Sequence, residues 1–161
     1  MVPFVKWFYL VALSVWVGSM VFFTVVVAPT VFKTLGAEEA AKLQRAIFPR
    51  YYLVGIICAL VGIVCVGWLL AERAFGKWPG ILSLVLLALT GGTDGWLLTV
   101  VLPRLHELRE RKTPVIGSGK LPDPRWEQEW KELHRASELL NFAVLASALA
   151  LLFLVIFSRV A

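Results

Sequence analysis

Four long apolar segments constrain the fold of this chain more than any other feature. Each holds about 20 residues or more, the length that one helix needs to cross the hydrocarbon core of a bilayer. The segments are 4–28, 51–71, 81–102 and 139–158. Within a bilayer only helices and closed barrels satisfy their own backbone hydrogen bonds. We therefore predict an all-α fold, an integral membrane four-helix bundle that forms one domain over 1–161 and lies in the lipid bilayer.

The first segment is expected to stay in the protein as a helix. Its apolar stretch, Trp7 to Ala28, is longer than the roughly 7–15 apolar residues of a secretory signal peptide. No small-x-small cleavage site lies at the end of this stretch, directly before Pro29. We therefore interpret this segment as the first membrane span.

The basic residues are divided unequally between the two ends of the predicted bundle. One end carries four, Lys6, Arg73, Lys77 and Arg159. The other carries twelve, Lys33, Lys42, Arg45, Arg50, Arg104, Arg109, Arg111, Lys112, Lys120, Arg125, Lys131 and Arg135. Because short cytoplasmic loops are enriched in Lys and Arg, we predict an inner cell membrane protein with both termini outside and the larger loops in the cytoplasm. Acidic residues alternate with the basic ones, so nucleic acid is not expected as a partner.

The loop between the first two segments is predicted to contain a short amphipathic cytoplasmic helix. Residues 37–48 are rich in helix formers, with acidic residues first and basic residues last, which complements the helix dipole. Prolines are expected to set the helix boundaries. Pro29 would end the first span, Pro49 would separate the amphipathic helix from the second span, and Pro103 would end the third.

Asp94 is the residue that points most directly to a function. It lies inside the third apolar segment, among Gly91, Gly92 and Gly95. An ionisable side chain at that depth costs roughly 2.5–3.5 kcal/mol on insertion scales, so such residues usually mark a functional site. The flanking glycines indicate a loosened helix or a very close neighbour.

A polar face on the fourth segment is expected to meet Asp94. His134, Ser137, Glu138 and Asn141 are spaced i, i+3, i+4 and i+7, so they share one side of a helix. We predict one cytoplasmic-side polar cluster that binds or transports a small solute, ion or lipid. Its members would be Asp94, Thr90, His134, Ser137, Glu138 and Asn141, closed by Arg50 or Arg104.

Two alternatives to this non-enzymatic binding role remain open. The cluster could be structural glue between helices in an assembly factor. The protein could also be a haem- or copper-binding redox component, for which His134 and His106 are the only histidine ligands. We predict no cofactor and no metal site, and treat Cys58 and Cys65 as packing residues.

Small residues on the second segment indicate close helix packing. Gly55, Ala59 and Gly62 form one narrow stripe, which lets a neighbouring backbone approach. Such faces also suit a homo-oligomer or a membrane partner.

The chain resembles the TMEM205-like (DUF4149) family over nearly its whole length. The resemblance is carried, in order, by the segments 16–23, 28–32 and 48–52 and by the pattern of His134, Ser137 and Asn141. The resemblance implies a four-helix membrane fold and assigns the family's polar pattern on the fourth helix to His134, Ser137 and Asn141. It implies no reaction. The opening also resembles copper-resistance membrane domains, but no His stands near Trp7.

Overall fold

The computed structural model describes residues 1–117, 119 and 123–157, and of residues 112–117 the helical backbone alone. Its elements follow one another as α1 (Val2–Phe22), a first π-helix (Phe23–Val27), α2 (Ala28–Thr34), α3 (Ala37–Ala71), α4 (Lys77–Trp96), a second π-helix (Leu97–Val101), α5 (Leu102–Gly117) and α6 (Pro124–Phe157). No strand occurs in these described ranges. The predicted all-α fold is confirmed.

The elements join into four long helices that form an antiparallel bundle. Around the bundle, α1 packs on α3, α3 on α4, α4 on α6, and α6 on α1. The four helices are long and apolar enough to cross a membrane, and large apolar side chains such as Val64, Leu89 and Phe153 cover the outside. We call the end with the α2–α3 and α5–α6 connections the basic end, and the end with Met1 and the α3–α4 connection the terminal end.

Each predicted span lies within a longer helix. The first three correspond to Val2–Thr34, Ala37–Ala71 and Lys77–Arg111, and the fourth to Pro124–Phe157. Ser158, the predicted end of the fourth span, lies outside the described residues. At 1.5 Å per residue, helices of 33–35 residues are about 50 Å long. They therefore extend beyond a hydrocarbon core of about 30 Å, mainly at the basic end.

The prediction that prolines end the helices is wrong. Pro29 and Pro103 each follow a π-helix, in which the wider turn bonds Ala28 N–H to the Phe23 carbonyl and Leu102 N–H to the Leu97 carbonyl. A proline has no N–H and its ring clashes with the carbonyl four residues earlier. A wide turn just before each proline gives the ring room, so the helix continues.

Pro49 also lies inside a helix, because α3 runs without interruption from Ala37 to Ala71. The predicted amphipathic segment is therefore the first part of α3 and continues directly into the second span. The carbonyl of Ala46, close to the proline, accepts a hydrogen bond from the Arg50 guanidinium at 2.7 Å. Pro49 has no N–H to donate to the Arg45 carbonyl, so the helix passes the proline with one backbone hydrogen bond fewer.

The seam between α3 and α4 is the most extensive contact between helices in the described residues, and small residues bring the two helices close there, as the stripe predicted. A Cβ atom added at Gly62 would lie 2.8 Å from a methyl carbon of Leu87, and one added at Gly91 would lie 2.8 Å from the Ala59 Cβ. Both distances are too short for real contacts. The missing side chains therefore let the two helices approach closely.

Candidate functional site

An asparagine held by two tyrosines is the centre of the polar site. Asn141, on α6, accepts a hydrogen bond from the Tyr51 hydroxyl at 3.3 Å and donates one to the Tyr52 hydroxyl at 3.2 Å. Its amide nitrogen also donates to the Ser137 carbonyl at 2.8 Å. The two tyrosines are neighbours on α3, so they reach the same amide from one turn of helix. The amide is therefore fixed at both its oxygen and its nitrogen.

A cavity of about 260 Å³ lies against this centre. It is bounded by the end of α1, the first π-helix, α2, α3, α5 and α6. Its lining residues are Met20, Phe23, Thr24, Ala28, Phe32, Gln44, Phe48, Tyr51, Tyr52, Leu102, Leu105, His134, Ser137, Glu138, Asn141, Phe142 and Leu145. Most of this lining is apolar, and the polar groups of α6 are confined to one side. The cavity therefore has an apolar body and one polar corner.

Four aromatic rings form one wall of the cavity. The Phe23 ring centroid lies 5.4 Å from that of Phe48 and 5.3 Å from that of Tyr51. Phe48 stacks on Tyr52 at 5.9 Å, and the two tyrosine rings meet edge to face at 5.3 Å. Aromatic pairs at these separations stabilise one another beyond their burial. The wall is therefore packed in place before any ligand binds.

His134 and Glu138 lie at the mouth of the cavity. Their side chains are 45% and 58% exposed, and His134 Nε2 is 3.3 Å from Glu138 Oε1. The imidazole stacks on Trp130, with ring centroids 4.8 Å apart. The Ser137 hydroxyl donates to the His134 carbonyl at 2.7 Å. These three predicted residues therefore join Asn141 along one side of the cavity.

Asp94 lies deeper, behind the tyrosine pair. Its side chain is 2% exposed and packs against the backbone of Gly55, where an added Cβ would overlap Asp94 Oδ2 and lie 2.9 Å from Trp16 Nε1. The carboxyl group is close enough to interact electrostatically with both tyrosines. Among the described residues, no side chain donates a hydrogen bond to it. Asp94 is thus near the cavity without lining it.

Thr90 accompanies Asp94 one turn earlier on α4. Its side chain is buried, and its hydroxyl donates to the Leu86 carbonyl at 2.7 Å, with the Leu87 carbonyl at 3.2 Å. The hydroxyl is therefore used by its own helix, and Thr90 does not line the cavity.

The two predicted arginines lie apart from the cluster. Arg104 bonds both carboxylate oxygens of Glu129, at 2.7 and 3.0 Å, and a Glu107 oxygen at 2.7 Å. This contact joins α5 to α6, and the bond from Arg104 lowers the pKa of the Glu107 carboxyl. Arg50 is exposed and bonds its own helix. Neither arginine closes the site around Asp94, because each has nearer acceptors.

Several residues of the site were absent from the sequence-based prediction. Tyr51 and Tyr52 were not among the predicted site residues, but they turn inward to Asn141. The pairing of Asp94 with Gly55 is also new, although the small-residue stripe already marked Gly55 as a place of close approach. Cys58 and Cys65 are buried free thiols. In the described part of the chain, no three His, Cys, Asp or Glu side chains come together in a way that could hold a metal ion.

Comparisons with known proteins identify relatives without a described activity. The sequence model of a domain of unknown function, DUF4149, matches residues 11–114. An uncharacterized protein of Aquifex aeolicus (strain VF5) is 32% identical over 153 residues, which are 93% of this chain and 96% of that relative. No solved structure matches the chain. The family match includes the tyrosine pair and Asp94, and it ends before α6.

Proposed function

Because this chain belongs to the DUF4149 family, a multi-pass membrane family of unknown function, we propose its function from the site itself. The protein binds a small amphipathic molecule in the cavity beside Asn141. The apolar part of the ligand would lie on the aromatic wall, and its polar part would meet the corner formed by Asn141 and the two tyrosines.

The fixed amide of Asn141 is the observation that carries this proposal. The Tyr52 hydroxyl accepts a bond from Asn141, so its own proton is not used in that contact and can be donated to a ligand. The Tyr51 hydroxyl donates to Asn141, so its oxygen can still accept. A ligand with a hydroxyl, amide or carboxyl group would match this pair of one donor and one acceptor.

The size and position of the cavity favour a lipophilic ligand. Its 260 Å³ is slightly less than the roughly 300–1,000 Å³ of pockets that enclose drug-sized molecules. Three residues at its rim, Thr24, Phe32 and Phe142, have exposed side chains on the outside of the bundle. A molecule dissolved in the bilayer would therefore reach the cavity from the side.

We favour binding over conduction through the bundle. The cavity lies toward the basic end, whereas the centre of the other half is filled by fully buried side chains, among them Tyr9, Leu13 and Leu87. No continuous polar route is needed for a binding protein. We further propose that the basic end faces the cytoplasm, on the distribution of Lys and Arg, so that the ligand comes from the cytoplasmic leaflet.

In this proposal Asp94 supports the site without touching the ligand. Its carboxyl group lies behind both tyrosine rings and interacts with their hydroxyls. Asp94→Asn keeps the shape of the side chain, so we expect a folded protein whose ligand affinity is changed. Unchanged ligand binding together with lost stability would instead indicate that Asp94 serves as helix glue.

The experiment is to fill the cavity and measure what copurifies. The wild type, Thr24→Phe and Val25→Phe would be purified in the same mild detergent, and their bound small molecules measured by native mass spectrometry. Thr24 lines the cavity at its exposed rim, whereas Val25, its neighbour on the same π-helix, is 66% exposed and does not line the cavity. We expect a molecule at near one-to-one ratio in the wild type and Val25→Phe and its loss in Thr24→Phe. A wild type without such a molecule, or equal occupancy in all three, would refute the proposal.

A further inference from the structure

A second group of polar side chains lies at the basic end, between the first turns of α3 and α5. It consists of Arg45 on α3 and of His106 and Arg109 on α5, and we call it the arginine groove. All three side chains are partly buried. None of them lines the cavity described above.

One hydrogen bond between the helices and one within α3 position the two arginines. Arg109 Nη2 donates to the Ala37 carbonyl at 3.4 Å, and Arg45 Nε donates to the Ala41 carbonyl at 3.4 Å. Ala37, Ala41 and Arg45 follow one another at four-residue steps, so they form one line along α3. Because α5 runs antiparallel to α3, His106 lies one turn back from Arg109 in the direction of Arg45. The three basic side chains therefore face one another across the two helices.

The groove concentrates positive charge in partly buried surroundings. Burial, and then the nearby Arg45, lower the pKa of both His106 and Arg109. Two acidic residues are close, but both are exposed: Glu110, and Glu38, which is bonded to Lys42 at 2.9 Å. The two arginines are thus more buried than the acidic residues near them, and His106 adds a hydrogen-bonding imidazole beside them, which favours binding of an anion here.

The groove begins within the lipid headgroup layer, at His106, and extends just beyond it to the backbones of Arg45 and Arg109, whose long side chains can reach back to the headgroups. His106 and Arg109 lie four and seven residues beyond the end of the third apolar segment, or about 6 and 10 Å along the helix. Arg45 precedes the second segment by six residues, about 9 Å. The headgroup layer extends about 5–8 Å beyond the hydrocarbon core on each side.

From this arrangement we infer that the arginine groove binds the phosphate group of an anionic phospholipid. A guanidinium presents two parallel N–H groups to phosphate oxygens, and basic pockets between membrane helices are suited to such headgroups. The same phosphate chemistry could come from a soluble phosphate, so the test includes both sources. This site is separate from the cavity, and its failure would leave the proposed ligand of the cavity untouched.

The test measures thermal stabilisation of the delipidated full chain in a neutral detergent. Three additives are compared at constant ionic strength: phosphatidylglycerol, phosphatidylcholine with the same acyl chains, and inorganic phosphate. The variants are Arg45→Gln, the double variant Arg45→Gln/Arg109→Gln, and a charge-matched control, Lys33→Gln/Arg135→Gln, with two exposed basic residues of the same end. Circular dichroism without additive checks that each variant is folded.

We expect phosphatidylglycerol to raise the melting temperature of the wild type and the control, and phosphatidylcholine to have little effect. A guanidinium that bonds the phosphate directly contributes on the order of a fivefold preference, whereas an exposed basic residue acts only through screened attraction, so half-saturation should weaken about fivefold in Arg45→Gln, about 25-fold in the double variant and little in the control. If the double variant does not fold, the affinity of Arg45→Gln for phosphatidylglycerol alone tests the inference. If inorganic phosphate raises the melting temperature as much as phosphatidylglycerol does, and the same variants lose this effect, the groove would be a phosphate site that is filled from solution. Equal protection by both lipids, or equal affinity in Arg45→Gln and the control, would overturn the inference.

Discussion

Gly55→Ala is the most direct test of how Asp94 is packed. The added Cβ would overlap Asp94 Oδ2 and lie 2.9 Å from Trp16 Nε1 and 3.0 Å from Asp94 Cγ. Asp94 and Trp16 are each 2% exposed, so neither side chain can move aside into open space. The helices must therefore separate or the carboxyl group must leave its position.

The size of the expected stability change in Gly55→Ala follows from two opposing contributions. Inserting a methyl group into a packed core costs about 1–3 kcal/mol, and this site lies at the upper end because two buried side chains are displaced. Replacing glycine by alanine inside a helix returns about 1 kcal/mol. We expect a net destabilisation of about 2 kcal/mol. Gly67→Ala, on the same helix with no atom within 4 Å of the new Cβ, should show only the gain of about 1 kcal/mol.

The assay is reversible unfolding in mixed detergent with sodium dodecyl sulfate as denaturant, followed by far-UV circular dichroism. The two variants should differ by about 3 kcal/mol in the free energy of unfolding. In an Asp94→Ala background, Gly55→Ala should lower the free energy of unfolding much less, because the carboxyl group that the new methyl group displaces is absent. The difference between the two backgrounds is the coupling energy, which is about 0.5–3 kcal/mol for residues in contact. Equal stability of Gly55→Ala and Gly67→Ala would refute the close approach of α3 and α4 at Asp94.

Three further predictions concern the polar contacts and the basic end. Asn141→Ala leaves two tyrosine hydroxyls without their amide and should cost about 1–2 kcal/mol, near the upper range for polar contacts between membrane helices, in the same unfolding assay. The pKa of His106 is lowered in the folded protein, so its protonation favours the unfolded chain. The melting temperature should therefore be highest above about pH 6.5, the ordinary pKa of histidine, and should fall as the pH drops below that value. In His106→Gln this fall should be smaller when melts are compared between about pH 7.5 and 5. Arg104→Gln removes the paired bonds to Glu129, so backbone amides in the facing turns of α5 and α6 should exchange hydrogen faster by mass spectrometry.

Each of these three measurements has its own control and its own contrary outcome. For Asn141, the control is Ser147→Ala on the same helix, and equal effects of the two changes would contradict the role of the tyrosine contacts. For His106, an unchanged slope with pH would show that burial does not oppose its protonation. For Arg104, the control is the exposed Arg135→Gln, and equal exchange in both variants would mean that the ion pair does not hold α5 to α6.

The four-helix fold could be predicted because its signal is repeated along the chain. Each apolar run is long enough to cross a bilayer, and no other regular structure satisfies the backbone there. The helix boundaries could not be predicted at Pro29 and Pro103. A local rule says that proline ends a helix, whereas the structure widens the preceding turn, and nothing in the sequence of Phe23–Val27 distinguishes a π turn from an α turn.

The candidate site was only partly predictable for a similar reason. Helical spacing places Ser137 and Asn141 on one face, and the structure brings both to the cavity. Spacing along one helix does not determine which residues of another helix they meet. Tyr51 and Tyr52 reach Asn141 because of the register between α3 and α6, about 90 residues apart in the chain. The separation of Asp94 from the arginines depends likewise on Glu129 being a nearer partner for Arg104.

The seam between α3 and α4 is tightly packed, whereas the cavity is not, and this difference determines where the bundle can move. Along the contact between α3 and α4, side chains of one helix lie directly on glycine backbone of the other, so widening the gap would remove contacts along its whole length. On the opposite side, the first π-helix and α6 have a cavity between them, and a shift there breaks far fewer contacts. The bundle thus consists of a stiff helix pair and a compliant one. Slow motions of the protein in the membrane should be concentrated in the first long helix, and the proposed ligand could then exchange without disturbing the contact between α3 and α4 that holds Asp94.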